Sequence, residues 1–431
     1  MALNYNLKYK KLNFFHKVVL SKEGEIVIDR QGFRLKGKGA QDHGEIVYFS
    51  DIKDLVSDKD DQLQFSTYKK DRYILSGFSN LFESFLKDFF RVRNEYLAEQ
   101  LFMKVGMLYH EYDGHVEILD RNGVLTPRGA CRFQLYEGSL LVIPEFHDCF
   151  PIYFNFLKSH EFDEDEYVLK LYLENGDTIN ISKLGTSFED FQEGLELLLG
   201  KMYEGVMNHL KELLPDFDAA ELLKLASAVR EGKTIHPVAL KKIHEDLPKK
   251  FDHLMFTTHE PMQEKVKWLM KGDVAANLHV GFALHTKMDT HELQVKPWFI
   301  CALPEKNVVA VSILGNQPNA PVYFFRMMSE FGDKEEKLAE KILEINQSML
   351  LLKFDLAPIY RNKWELGKSK YRTALRKLDY LRRLRKSYLG KSLSLDMAGF
   401  EKDFEVVLKR APVILKPVIR TVVQTGALLQ K

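Results

Sequence analysis

Between Arg361 and Lys391 the sequence places twelve lysines and arginines against two acids, Glu365 and Asp379. Cations at that density can neutralise several phosphates, on a nucleic acid or on an anionic lipid surface. The residues with that capacity are Arg376, Lys377, Arg382, Arg383, Arg385 and Lys386. Tyr371, Leu375, Leu378, Leu381, Leu384 and Tyr388 recur among them at helical spacing, which predicts one helix over 372–391 with a buried stripe. The stripe demands burial, so the alternative is a helix docked on acidic surfaces elsewhere in the chain. A second basic set, Arg34, Lys36 and Lys38, alternates with Phe33, Leu35 and Gly37. Three cations on one side of a strand are a candidate anion site or an ordinary exposed strand face.

Other chemistry is thin. His279, His285 and His291 recur every six residues, but a strand advances about 3.3 Å per residue, so neighbours stand roughly 20 Å apart and share no metal. Gly37-Lys38-Gly39 lacks the GxxxxGK[ST] spacing of a phosphate loop. The sequence contains no HExxH, CxxC, GxSxG, HRD or DFG. Asp163 and Asp165 fall in a turn, where solvation accounts for them. No catalytic residue, metal or cofactor is expected, and an enzyme is disfavoured, although active sites built from distant residues need no local motif.

The bulk numbers narrow the classes further. At 431 residues the chain is long enough for two to four domains. Sixty-two lysines and arginines nearly cancel 61 acids, for a net charge of +1, so the surface is not coated with one sign of charge. Cys131, Cys149 and Cys301 are odd in number and far apart, which fits a reducing compartment rather than a disulfide framework. Met1 to Lys11 is polar and basic with no signal-like apolar run behind it. Val413 to Leu429 is interrupted by Lys416, Pro417, Arg420 and Gln424 and cannot span a bilayer as written. The expected location is the cytoplasm.

The elements that must position these residues show themselves through a repeat. Leu63 to Phe89 aligns without a gap on Leu169 to Leu195 at a shift of 106 positions. Phe65 falls on Leu171, Tyr73 on Ile179, Phe78 on Leu184, Phe82 on Phe188 and Phe85 on Phe191. Apolar residues recur at period two up to Phe78 and Leu184, as in a half-buried hairpin, with Asn175-Gly176 as its turn in the second copy. The period then lengthens to about 3.6. Thr186 with Glu189 predicts a capping box, and Ser79 or Asn80 a cap in the first copy. Further strands are expected at Phe14–Leu20, Glu25–Asp29, Gly32–Lys36 and Glu45–Phe49. Their counterparts are Met107–Tyr112, Val116–Leu119, Cys131–Tyr136, Leu140–Pro144 and Pro151–Leu157. Each copy thus reads as six or seven strands and an aromatic helix suited to plugging a barrel end.

That order of elements over residues 10 to 214 resembles the pleckstrin-homology-like (PH-like) superfold, GRAM-type domains included. The resemblance implies two tandem PH-like β-barrels, each capped by a C-terminal helix, and no catalytic motif. The segment FDLAPIY with the following Leu/Arg-rich stretch is similar to the C-terminal part of some bacterial proteins, a likeness that carries no activity. The expected fold class is α+β. Its parts are PH-like domain 1 (1–102), PH-like domain 2 (103–214), a helical connector (215–275), an α+β domain (276–360) and a basic helical C-terminal region (361–431). Asp218 with Glu221, and Pro237, mark helix starts in the connector. A stripe through Leu338, Ile342, Ile345 and Met349 predicts a long helix from Lys334 to Leu352. Residues 276–360 are a candidate third copy. The function expected first is a non-enzymatic binding or scaffold protein that holds protein partners at sheet edges and grooves. An anionic-membrane binder and a nucleic-acid-associated protein stand behind it.

Overall fold

The computed structural model describes residues 3–39, 43–58, 61–256, 260–271, 277–286, 293–314, 320–327, 334–367 and 369–411. It is a mixed α+β structure built on three antiparallel sheets. The first sheet contains β1 (Leu3–Leu12), β2 (Val18–Asp29), β3 (Gly32–Gly37), β4 (Glu45–Tyr48), β5 (Ile52–Asp58), β6 (Gln62–Thr67) and β7 (Arg72–Ser76). Their spatial order is β4-β3-β2-β1-β7-β6-β5.

That order forces curvature. β4 and β5 are the two edges, yet only the 3₁₀ turn Phe49–Asp51 joins them. A flat ladder of this width would hold its edges about 29 Å apart, at ~4.8 Å per strand, whereas three residues bridge about 10 Å. The sheet must therefore roll until its edges approach. Gly24 in β2 lets it do so, because a Cβ there would sit 1.8 Å from the Lys36 carbonyl oxygen across the β2–β3 pair. Helix α1 (Phe82–Gln100) fills the rolled sheet with Phe82, Phe85 and Phe89, packed among Phe33, Phe49 and Phe65. Each such ring contributes about 1.5–3 kcal/mol by leaving water.

The second sheet repeats this plan with β8 (Leu108–Leu119), β9 (Leu125–Tyr136), β10 (Ser139–Pro144), β11 (Phe150–Tyr153), β12 (Leu157–Asp163), β13 (Val168–Leu173) and β14 (Thr178–Ser182). The order β11-β10-β9-β8-β14-β13-β12 is the same, the turn Phe154–Phe156 joins the edges, and α2 (Phe188–Leu213) follows. Phe188, Phe191, Leu195 and Leu198 of α2 enter the second core. The helices do not start as expected. Leu81 and Ser187 occupy the N-cap positions and neither makes a side-chain cap bond. The 3₁₀ turns Ser79–Leu81 and Gly185–Ser187 run straight into the helices and leave no place for a capping box.

Beyond α2 lie α3 (Ala219–Ala228), α4 (Pro237–Ile243), α5 (Leu247–Phe256) and α6 (Glu260–Met270). The Asp218–Glu221 capping box and the early Pro237 are both present. The third sheet runs in chain order through β15 (Asn277–Thr286), β16 (Leu293–Leu303), β17 (Val308–Ile313), β18 (Val322–Arg326) and β19 (Tyr388–Ser392). It does not repeat the strand order of the other two. Between β18 and β19 come α7 (Lys334–Leu351), α8 (Ala357–Tyr360), α9 (Lys363–Gly367), α10 (Arg372–Lys377) and α11 (Asp379–Ser387), and α12 (Met397–Arg410) closes the described chain.

This sheet is buried on both faces, which explains its near-continuous apolar strands. Phe299, Cys301, Val308, Ala310, Val322 and Phe324 face one core, shared with α3 to α6, α12 and the end of α2. Their alternates Trp298, Ile300, Val309, Val311, Tyr323 and Phe325 face another, shared with α7 to α11, the end of α1 and β10.

The single basic helix expected over 372–391 is not formed. Leu378 takes an extended conformation between α10 and α11, and the chain from Tyr388 becomes a strand paired with β18. The leucine stripe is buried as expected, with Leu381 and Leu384 fully inaccessible. No described helix is long and apolar enough to cross a membrane.

Candidate functional site

The basic residues singled out by the sequence fall into two places. Arg34, Lys36 and Lys38 do lie along β3 and its exit, but Lys36 pairs with Glu25 at 3.3 Å and Lys38 with Glu23 at 3.3 Å. Arg34 is exposed. The C-terminal cations are mostly spent inside the protein. Arg376 pairs with Asp51 at 2.9 Å and lies over the Tyr68 ring, whose hydroxyl donates to the Arg376 carbonyl. Lys377 donates to the Ile52 carbonyl at 2.6 Å. Arg383 pairs with buried Glu344, and Arg385 donates to the Pro358 and Arg361 carbonyls. Arg382 pairs with Asp379, and Lys386 is exposed. The segment is therefore a docked, acid-paired one.

What it docks on is a junction that sequence reading missed. Arg93 of α1, 1% exposed, forms two parallel bonds to Asp148 of the β10–β11 turn, at 2.6 and 2.7 Å. Its neighbour Asn94 donates to the His147 carbonyl at 3.0 Å and accepts from the Cys149 amide at 2.9 Å. Lys377 and Arg376 arrive on the other side. Burial pushes the Asp148 carboxyl up, but the charge and hydrogen bonds of Arg93, helped by Lys377, outweigh it, so its pKa falls below the usual carboxylate range. Burial, with Arg93 and Arg376 as like charges nearby, lowers the Lys377 ammonium to about 7. First unit, second unit and C-terminal segment thus meet over a small ionic cluster.

The two rolled sheets offer the same feature at equivalent places. In the first, the corner carbonyls of Phe49 and Ile52 accept from Arg93 and Lys377. In the second, the carbonyls of Phe154 and Leu157, each 105 positions further on, both accept from Arg230 at 2.9 and 2.7 Å. Arg230 is 3% exposed and lies just past α3. The edge-joining turn presents its carbonyls at the corner, and buried cations donate to them. Each corner is a receptor for a positively charged side chain, and each is filled from within the chain.

The histidines lie elsewhere. His279 of β15 contacts His236 at the N-cap of α4, ring centres 5.3 Å apart, and burial drives His279 down to about 4. His291 and Asp289 lie outside the described residues. No group of three or more metal-binding side chains occurs among the described residues. All three cysteines are free and buried, and burial lifts Cys131 and Cys149 to about 12. Neither is a thiolate nucleophile at neutral pH. Compared with known proteins, this chain matches no family model and no curated protein sequence.

Proposed function

We propose that this chain is a non-enzymatic binding or scaffold protein whose two PH-like units, over residues 1–102 and 103–214, hold protein segments. The observation that carries the reading is the pair of filled corners: each unit grips a distant segment of polypeptide by backbone carbonyls and a cation. Each unit also keeps edge strands that pair on one side only, β5 and β12 among them, with Val56 63% exposed on β5. Edges of this kind accept a further strand from a partner. Free, buried cysteines support placing the protein in a reducing compartment, the cytoplasm.

The test is amide hydrogen exchange on the full chain with a partner captured from the cells that make it. The reading expects protection of Ile52–Asp58 or Leu157–Asp163 on binding. A partner that leaves both edges exchanging as before overturns strand addition.

A second reading, attachment to an anionic membrane surface, draws support from residues the sequence analysis did not select. Phe14 and Phe15 at the β1–β2 tip are 64% and 75% exposed, and Val18 and Val19 are exposed beside them. Lys70 sits over the Phe14 ring at 4.9 Å, and Lys17 and Lys69 are exposed nearby. An apolar tip with a cationic collar suits the headgroup boundary of an anionic bilayer. Sedimentation with phosphatidylserine vesicles, lost in Phe14→Ser/Phe15→Ser and absent with phosphatidylcholine alone, is the outcome this reading requires.

A further inference from the structure

A cleft of about 650 Å³ opens between α1 of the first unit and the outer face of the second sheet. Its walls are held by contacts already described. Arg93 and Asn94 tie α1 to the β10–β11 turn, and Lys87 adds an ion pair to Glu145 at 3.0 Å. The helix is thus pinned along one side of the sheet, and the gap towards β8 and β9 stays open.

The floor is small and apolar, from Ala98, Cys131, Ile143 and Pro144, with Ala130 exposed on the sheet side. The rim is cationic. Lys87 and Arg91 are neutralised by carboxylates within 3.1 Å, from Glu145, Glu83 and Asp88. Among the described residues, Lys104 and Lys183 have no carboxylate within 4 Å, and Arg132 has one loose pair. All three are exposed, and the closest acid to any of them is Asp113, 3.9 Å from Arg132 with its own side chain 89% exposed. Lys183 holds a left-handed backbone, φ 57°, immediately after β14. A pocket of this size with an apolar floor and a few convergent polar groups is typical of small-ligand sites between domains.

We propose that this cleft binds a small amphipathic anion, its apolar body on the Ala98–Ile143 floor and its acidic head among Lys104, Arg132 and Lys183. The inference goes beyond the scaffold reading and does not depend on it. A neutral apolar molecule would leave Lys104 and Lys183 without a counter-charge and Arg132 with only the exposed Asp113, and a simple inorganic anion would leave the floor wet. The cleft's one thiol, Cys131, is buried and donates to the Gly129 carbonyl, so it contributes apolar surface to the floor.

The experiment is calorimetric titration of the full chain with decanoate and decyl sulfate, which share the amphipathic-anion chemistry, and with decanol as the neutral control. Decanoate or decyl sulfate should saturate a single site at least roughly tenfold more tightly than decanol. Arg132→Glu/Lys183→Glu should weaken the anions by on the order of tenfold or more, and Ala130→Trp should block the floor. Both sets of positions are exposed, so an unchanged melting temperature shows that the fold is intact. Arg34→Glu/Lys38→Glu, an equal charge change on the first sheet, should leave binding unaltered. No saturable binding, equal affinity for decanol, or equal losses from both charge reversals each overturns the proposal.

Discussion

Arg93 and Asp148 show how a charge pair can be structural without being visible in sequence. Fifty-five positions separate them, and neither belongs to a motif. Arg93→Met would strand a carboxylate that is 44% exposed, so part of the loss is relieved by water and the expected cost is about 2–3 kcal/mol, read by urea unfolding. The carboxyl pKa is lower in the folded chain than in the unfolded one. Its stabilisation is therefore complete above the ordinary carboxylate pKa of about 4 and is lost as pH falls through the lowered value. Asp148→Asn should flatten that acid-side loss. Lys377 acts in the same direction but in a higher pH window. Its folded pKa near 7 lies below that of a free lysine, so the unfolded chain binds more protons between about 7 and 10. Stability from this group rises with pH across that window, and Lys377→Met should remove the rise. Residue type alone marked Arg376, Lys377 and Arg383 as cations. It could not show that their acids stand as far off as Asp51, 325 positions away from Arg376.

At the level of elements, the corner turns make the sharpest demand. Replacing Arg230 by methionine removes two buried charge-assisted bonds and leaves the Phe154 carbonyl with only the Leu157 amide, and the expected loss is roughly 2–4 kcal/mol. Thermal melting of Arg230→Met against the wild type measures it; a change under about 0.5 kcal/mol would remove the structural role assigned to the corner. The pairing of α4 with β15 through His236 and His279 carries its own signature. Both rings are held neutral by burial, so protonation of the unfolded chain below about 6.5 costs stability down to about 4. His279→Gln should reduce that loss. Much of the element layout was readable. The hairpins and helices near Phe90 and Leu198 aligned because β6, β7 and α1 stand 106 positions before β13, β14 and α2. Further upstream the shift is 107 at β2 and β9, then 105 at β4 and β11, because the loops between strands differ in length. An ungapped comparison fails there for that reason alone. β1 was missed although Leu3, Tyr5, Leu7 and Tyr9 alternate with polar residues, since its lysines drew attention to charge rather than to period. Phe14 and Phe15, read as strand, form the exposed tip instead.

Across the whole molecule the third sheet is the common wall. Leu97 and Leu101 from the first unit, and Met103, Tyr136 and Leu141 from the second, share a core with Trp298, Phe325, Leu375 and Leu384. The end of α2 joins the opposite core through Val206, Leu210 and Leu214. Such sharing couples the units, so calorimetry of the full chain should give one cooperative transition rather than separate melting of the rolled sheets. The reading of Trp298–Leu303, Val308–Leu314 and Val322–Arg326 as strands and of Lys334–Leu352 as a helix was sound because period and composition are local. The assembly around them was not readable, because burial on both faces of β16 to β18 erases the alternation that would have told one side from the other.

The position of β19 has a consequence for synthesis on the ribosome. β15 to β18 are complete by residue 326, but the strand that covers the outer side of β18 emerges only with residues 388–392. During the intervening translation the nascent chain carries a bare, largely apolar edge, and any ribosome that stalls before Tyr388 leaves it open to neighbouring polypeptides.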